Sequence, residues 1–479
     1  LPIRFIQLTQ RSTFTKEKPV HDWPTNGTPL CFLAGIPPLV YVFVKAFFGM
    51  NQEGFSLRFW GVLFLWLGYH FGPLLLLFED NPVIFMLVPR YIDECLLFSA
   101  LCMYAYLAGY RLFMRSSGNE TSRRKTDLVL PSVPPAFLIV MASFVLIHFL
   151  ISVGGFEEAL VSSRTTRYEG EWDVRDFQGK LAQMLGVLTG FIGLALACIT
   201  SIFLLDTKYA LRFRLALGIS CLVVASLNHI FIFGRASGLS LGIFAIILLN
   251  LKGSRAAPIA VPCFVMAAFL GGVGMNYRGV YTPGLYNFAE ACIESIENSG
   301  ESGEAWTITA DNFPLNAVDP WTLVADIRKD EAPSPSDQVF PFLLSLNPLP
   351  SEFIPVRQVG PDLADVMGST GAFGLTTPAC AEIYYAFGFW GFLSWIPLGM
   401  VYAFFDSYRF RKGGVIASVC FLLCLASFPI GGHSRSRSMT RPIEYAGILL
   451  LVASYAQKHS RALIPAPLDT MSRTHEVPL

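Results

Sequence analysis

About eleven stretches of this chain are apolar over a length that can cross a bilayer, and no other feature narrows the choice of fold as much. They fall at 30–48, 59–78, 83–112, 134–153, 181–205, 215–233, 239–251, 258–274, 380–405, 415–430 and 442–455. A hydrocarbon core of roughly 30 Å needs about 20 helical residues, because inside it every backbone N–H and C=O must find an internal partner. Composition agrees: 53% of the 479 residues are hydrophobic and mean hydropathy is +0.50, beyond what a soluble two-domain chain carries. The sequence predicts an all-α polytopic membrane protein with about 11 (10–12) transmembrane helices and one large external loop subdomain.

Positive charge sets the sidedness. The connections 111–125, 208–214, 252–255, 409–412 and 458–461 are short, basic and contain lysine, which is the cytoplasmic signature. The others are then external, including the long one from Asn276 to about Pro378, too polar and too long to be a linker between packed helices. The expected divisions are an N-terminal polar segment 1–29, a first helical block 30–275, an external subdomain 276–379, a second block 380–456 and a cytoplasmic tail 457–479. Within the subdomain, YNFAEACIESIENSG and DPWTLVADIRK read as helices. APSPSD is a breaker, and FLLSLNPLPSEFIPV, whose prolines forbid a long helix, is expected at the membrane surface. The first third resists the alternation, which run backwards puts the basic N-terminus outside. Either one early segment is re-entrant, or the 83–112 run, which carries Arg90, Asp93 and Glu94, crosses differently. The N-terminal residues, with Arg4, Arg11, Lys16 and Lys18, lack a signal-peptide pattern, so the first span is expected to do the targeting.

Global charge excludes one class of partner: 35 basic residues balance 35 acidic ones, which argues against nucleic acid. The ten cysteines form no CxxC pair and no metal-ligand spacing; Cys31, Cys102, Cys198, Cys221, Cys420 and Cys424 sit inside apolar runs and read as small core residues. The local placement of arginine is more informative, because arginines crowd the side that positive charge normally avoids. Arg164, Arg167, Tyr168 and Arg175 follow the fourth span, beside Glu169, Glu171 and Asp173. That segment reads either as a solvated loop with surface ion pairs or as an anion site. Arg235, in IFIFGRASGLSL, is either a snorkelling interfacial cation or a ligand, with flanking glycines that would let a ligand approach the backbone. Tyr277, Arg278 and Tyr281 end the eighth span, where an aromatic belt is the plain alternative. His433, Arg435, Arg437 and Arg441 occupy a short hairpin with no acid before Glu444. Unpaired arginines there repel one another unless an anion or a buried carboxylate compensates, which makes this the strongest local signal. Glu382 lies just inside the span that follows the subdomain. There it could act as a base, orient an arginine, bind a sugar hydroxyl, or simply pair with an arginine.

SRTTRYEG, GRASG after a span, LNPLPSEFIP, GSTGAFG leading to AEIYYAFGFWGFL, and RSMTRPIEYAGILLL occur in the order found in Wzy-type O-antigen or oligosaccharide repeat-unit polymerases. The chain resembles that family from about the second span to the last. RQVGPDLADVMG, from Arg357 to Gly368, also resembles the family's external Arg-x10-Gly pattern; no second copy starts at Arg164 or Arg167. The resemblance implies a GT-C-like glycosyltransferase in the bacterial inner membrane with its site facing the periplasm. It would transfer a growing glycan from one undecaprenyl-diphosphate to an incoming lipid-linked oligosaccharide, without a cofactor. The implied partners are those lipid-linked oligosaccharides, the lipid bilayer and a chain-length regulator.

On this reading Arg278, Arg435, Arg437 and Arg441 hold the diphosphate. Arg164, Arg167 and Arg235, with Tyr168, Tyr281 and Arg357, hold the second carrier or its sugars. Glu382 or His433 deprotonates or orients the acceptor hydroxyl, with Arg278 beside the reacting centre. Cationic forks stabilise a leaving diphosphate without a metal, and no HExxH or DxD stands in an external loop. The rivals are an O-antigen ligase, the same chemistry on another acceptor, and a flippase or exporter of lipid-linked glycan. An exporter should carry charge along the bundle interior, whereas most spans between Pro134 and Gly274 carry none. A purely structural scaffold is opposed by the unpaired external arginines.

Overall fold

A computed structural model describes residues 24–48, 55–77, 89–116, 133–162, 189, 192–277, 280–301, 317–330, 342–343, 346, 378–412, 414–433 and 436–463. In chain order the helices are α1 Thr28–Phe48, α2 Leu57–Trp66, α3 Gly72–Leu76, α4 Ile92–Ser116, α5 Pro135–Val153 and α6 Phe156–Leu160. Then come α7 Ile192–Leu205 and α8 Leu211–Phe231, α9 Leu239–Lys252, α10 Ala257–Asn276, α11 Leu285–Glu301 and α12 Val318–Asp330. The last four are α13 Ala379–Phe387, α14 Trp395–Lys412, α15 Gly414–His433 and α16 Ser436–Leu463. No β-strand occurs among the described residues. Six of their helical segments are long and apolar enough to cross a membrane: Thr28–Phe48, Ile92–Ser116, Pro135–Val153, Leu211–Phe231, Gly253–Gly274 and Ala379–Arg409. The chain is an all-α membrane protein.

The bundle is built around α4. Of its apolar window 56% is buried inside the protein, against 22% for α5, whose Ile139, Val140, Ile147 and Ile151 are exposed as lipid-facing residues would be. Small residues let α14 approach α4 closely: a Cβ added to Gly109 would collide with the Ile396 carbonyl, and one on Gly399 with the Tyr106 carbonyl. Packing of this kind replaces the hydrophobic drive that lipid cannot supply between helices.

Two polar knots mark the two ends of the bundle. At one end the fully buried Asp406 accepts from the Leu57 backbone N–H at 2.8 Å and from the Tyr110 hydroxyl at 2.7 Å, tying together the start of α2, the last turns of α4 and the end of α14. Arg409 on the next turn donates to Asn250 Oδ1 at 3.5 Å, bringing in the end of α9. At the other end Asp93 accepts from Thr28 at 2.7 Å and from Thr25, joining the starts of α1 and α4.

These knots resolve the early part of the chain. Helix α4 begins at Ile92, nine residues later than the apolar run, so Arg90, Asp93 and Glu94 stand at a bundle end rather than inside a span. Among the described residues the chain passes from the Asp93 end along α1, back along α2 and α3, and down again along α4. A second difference lies near the C-terminus. The hairpin expected around His433–Arg441 is almost entirely helical, since α15 runs through His433 and α16 starts at Ser436. Pro442, the seventh residue of α16, lies inside the helix, where its ring forfeits the bond to the Ser438 carbonyl and the helix continues past it. The last span, expected at 442–455, is therefore the middle of a 28-residue helix.

Candidate functional site

The site is approached through the short helix α13. Pro378 caps its start, and the Glu382 backbone N–H donates to the Pro378 carbonyl at 3.1 Å. Glu382 thus lies in the first turn, where the helix dipole favours an anion, and its side chain is 3% exposed. It is enclosed by protein rather than lipid, as an ionisable residue at that depth requires. Helix α13 packs against α12, α15 and α16.

The far end of α13 is held from outside the bundle. At Gly388 the backbone turns to φ +63°, and its N–H donates to the Tyr384 carbonyl. The Tyr385 carbonyl next to it accepts from the Arg328 guanidinium of α12, which also lies 5.9 Å over the Tyr384 ring. A Cβ on residue 388 would stand 2.9 Å from Arg328 Nη2, so glycine serves both the turn and the arginine. Tyr384 donates to Glu94 at 2.6 Å, and Trp321 packs 4.6 Å from its ring. Arg90 pairs with Asp326, whose carboxylate raises the arginine's pKa. Helix α12 therefore bridges the start of α4 and the end of α13.

A second group forms where α8, α9 and α10 meet. Arg235 opens a 3-10 turn, Arg235–Gly238, and Tyr281 stacks on Phe233 at 6.2 Å. Tyr281 donates to Glu294 at 2.6 Å, and that bond pushes its phenol up to about 12. The glycines around Arg235 have a packing cause rather than a ligand one: a Cβ on Gly238 would strike Ala267, and one on Gly234 would stand 3.3 Å from the His229 carbonyl.

Because Arg409 meets Asn250 at one end, the opposite ends of α9 and of the α13–α14 segment, which carry Arg235 and Glu382, lie at the other. His433 closes α15, and Arg437 and Arg441 stand one turn apart in the first turns of α16, at that same end. The Nε of Arg441 is buried with no hydrogen-bond partner among the described residues. Arg235, His433 and Arg437 are placed by their backbone alone. Arg164, Arg167, Tyr168, Arg278, Arg357 and Arg435 lie outside the described residues.

Sequence reasoning missed Arg328, Trp321 and Tyr384 as parts of this site. The available signal was the pairing of two helices that each carried an internal aromatic and charge, DPWTLVADIRK and AEIYY. Comparison with family models, with curated proteins and with solved structures finds no match to this chain.

Proposed function

We propose that the protein is a membrane glycosyltransferase that polymerises polyprenyl-diphosphate-linked oligosaccharide repeat units on the external face of a bacterial inner membrane, using about eleven crossings to frame the site. The carrying observation is the common end. Glu382, Tyr281, Arg441 and the backbone positions of Arg235, His433 and Arg437 come from four separate parts of the chain and stand at the bundle end opposite the lysine-bearing connections.

A buried carboxylate at a helix start and an arginine whose buried Nε has no partner among the described residues suit the reaction. Arginine forks take the diphosphate as its negative charge grows, and Glu382 accepts or orients the proton of the attacking sugar hydroxyl. The glycosidic C–O bond forms as the bond to the diphosphate oxygen breaks. No redox partner is needed.

The test is a reconstitution of the purified chain with lipid-linked repeat units in the presence of a chelator. A ladder of lengthened glycans is expected, and Glu382→Gln should lose it while still binding substrate. Transfer of intact lipid-linked units across the vesicle membrane, with no lengthening, would replace this reading with an exporter.

A further inference from the structure

Helix α11 carries an exposed apolar flank that neither the bundle nor the proposed chemistry uses. At about 100° per residue, Glu290, Glu294 and Glu297 form a ridge within about 60° of one another. On one side of the ridge Asn287, Phe288 and Ala291 are buried, the last two packing with Phe233 and Val273 at the tips of α8 and α10. On the other side Tyr286, Ile293 and Ile296 are 61%, 57% and 54% exposed. Leu285, Ala289 and Cys292 complete the apolar arc opposite the ridge, so the helix is apolar on every side except one.

Its height in the molecule is fixed by contacts. The Gly284 backbone N–H donates to the Phe231 carbonyl at 3.1 Å, which holds the start of α11 level with the last residue of α8. Ala291, two turns further on, still packs in the cluster that contains Val273 of α10, so α11 runs across the bundle end rather than away from it. Helix α10, at 20 residues, spans about 30 Å, the thickness of the hydrocarbon layer, and α11 therefore lies where that layer ends. Helix α6 lies beside it. Gly154 and Gly155, at φ +100° and +126°, turn the chain sharply off the end of α5, and Ser162 bonds to Pro283 at 3.2 Å. Phe156 and Leu160, one turn apart on α6, are exposed too.

We propose that α11, with α6, is an interfacial platform whose exposed apolar flank is covered by the bilayer: Tyr286, Ile293, Ile296, Phe156 and Leu160 rest at the boundary of headgroups and acyl chains, while Glu290 and Glu297 face water beside Glu294, which Tyr281 holds. The occupant is lipid rather than protein because this flank continues the exposed apolar surface of α5, whose Ile147 and Ile151 lead directly to Phe156 and Leu160 of α6. The described parts of the two helices carry glutamates and no lysine or arginine, so attachment is apolar and anionic lipid does not strengthen it, unlike the usual basic interfacial helix. The platform would fix the height of the neighbouring Arg235–Tyr281 group relative to the membrane surface. It stands whether or not the chain is a polymerase.

The experiment places a dansyl-bearing amino acid at position 293 of the full chain, and separately at 297, in phosphatidylcholine vesicles with or without bromine on the acyl chains. Burial roughly 5–10 Å into the boundary predicts blue-shifted emission from position 293 that brominated lipid cuts about twofold, and little quenching at 297. Enriching the vesicles in phosphatidylglycerol should leave the quenching unchanged or lower it. Unquenched emission at 293 overturns the proposal: a red-shifted spectrum puts the flank in water, and a blue-shifted one puts it under protein. If the label at 293 prevents folding, the same label at Ile296 gives the same reading.

Discussion

Replacing Arg328 by glutamine should loosen one helix end and nothing else. Its guanidinium donates to the Tyr385 carbonyl, among the last of α13, and lies over the Tyr384 ring. A charge-assisted hydrogen bond contributes about 1.5–3 kcal/mol, and a cation near a helix C-terminus adds a few tenths more. The arginine is half-buried, so solvent screening brings the whole to about 2 kcal/mol. Local opening of α13 should become easier by that amount, and amide exchange at residues 383–387 should rise about 30-fold, with α10 unaffected. Hydrogen exchange read by mass spectrometry resolves such a segment. Arg328→Lys should fall between, since an ammonium reaches one carbonyl without the planar fork. Gly388→Ala should reproduce the pattern, because its Cβ would press on Arg328 Nη2 at 2.9 Å in a backbone conformation with φ +63°. Unchanged exchange in α13, or equal acceleration throughout the bundle, would refute the idea that α12 caps the helix carrying Glu382.

Other expectations are simpler to state. Arg437→Lys keeps the charge but loses a bidentate grip on phosphate, so transfer should slow roughly a hundredfold, on the order of 2–3 kcal/mol; full polymer length at full rate would show that the arginine has no part in the chemistry. Gly399→Ala drives a methyl into the Tyr106 carbonyl and should cost about 2–3 kcal/mol, visible as a lowered unfolding temperature in detergent; an unchanged temperature would mean that α4 and α14 can separate freely. A thiol probe replacing Ser336 should react from outside and one replacing Ser460 should not, and the reverse pattern would invert the sidedness read from the lysine-bearing connections.

The bilayer's demands are local in sequence, which is why the helical class and most helix positions could be read directly. A run of apolar residues is visible without knowing its neighbours, and so were the segments 286–300 and 319–329, closed by turn residues or charge clusters, which form the helices Leu285–Glu301 and Val318–Asp330. Charge counts along short connections likewise grouped Lys252 and Lys412 on one side, and the Arg409–Asn250 contact puts the ends of α9 and α14 together. Where polar groups interrupt apolar runs, the sequence alone decided less. The start of α4 at Ile92 depends on Asp93 meeting Thr25 and Thr28, 68 and 65 residues away, and the start of α2 at Leu57 is held by Asp406, 349 residues on.

The site divides the same way. Glu382 was singled out because a carboxylate at the edge of an apolar run is costly wherever it points. What holds its helix was invisible: Arg328 caps α13 across 57 residues, and neither strand of text carries the other's coordinates. Gly238 shows the opposite limit, since a glycine beside an arginine invites a ligand on paper and in the folded chain makes room for Ala267. Apolar period, helix length and charge bias act through the residue's own segment and the solvent around it, so the sequence alone determines them. Caps, close helix crossings and the gathering of charges at one bundle end arise only when distant segments meet, and those the tertiary structure decided.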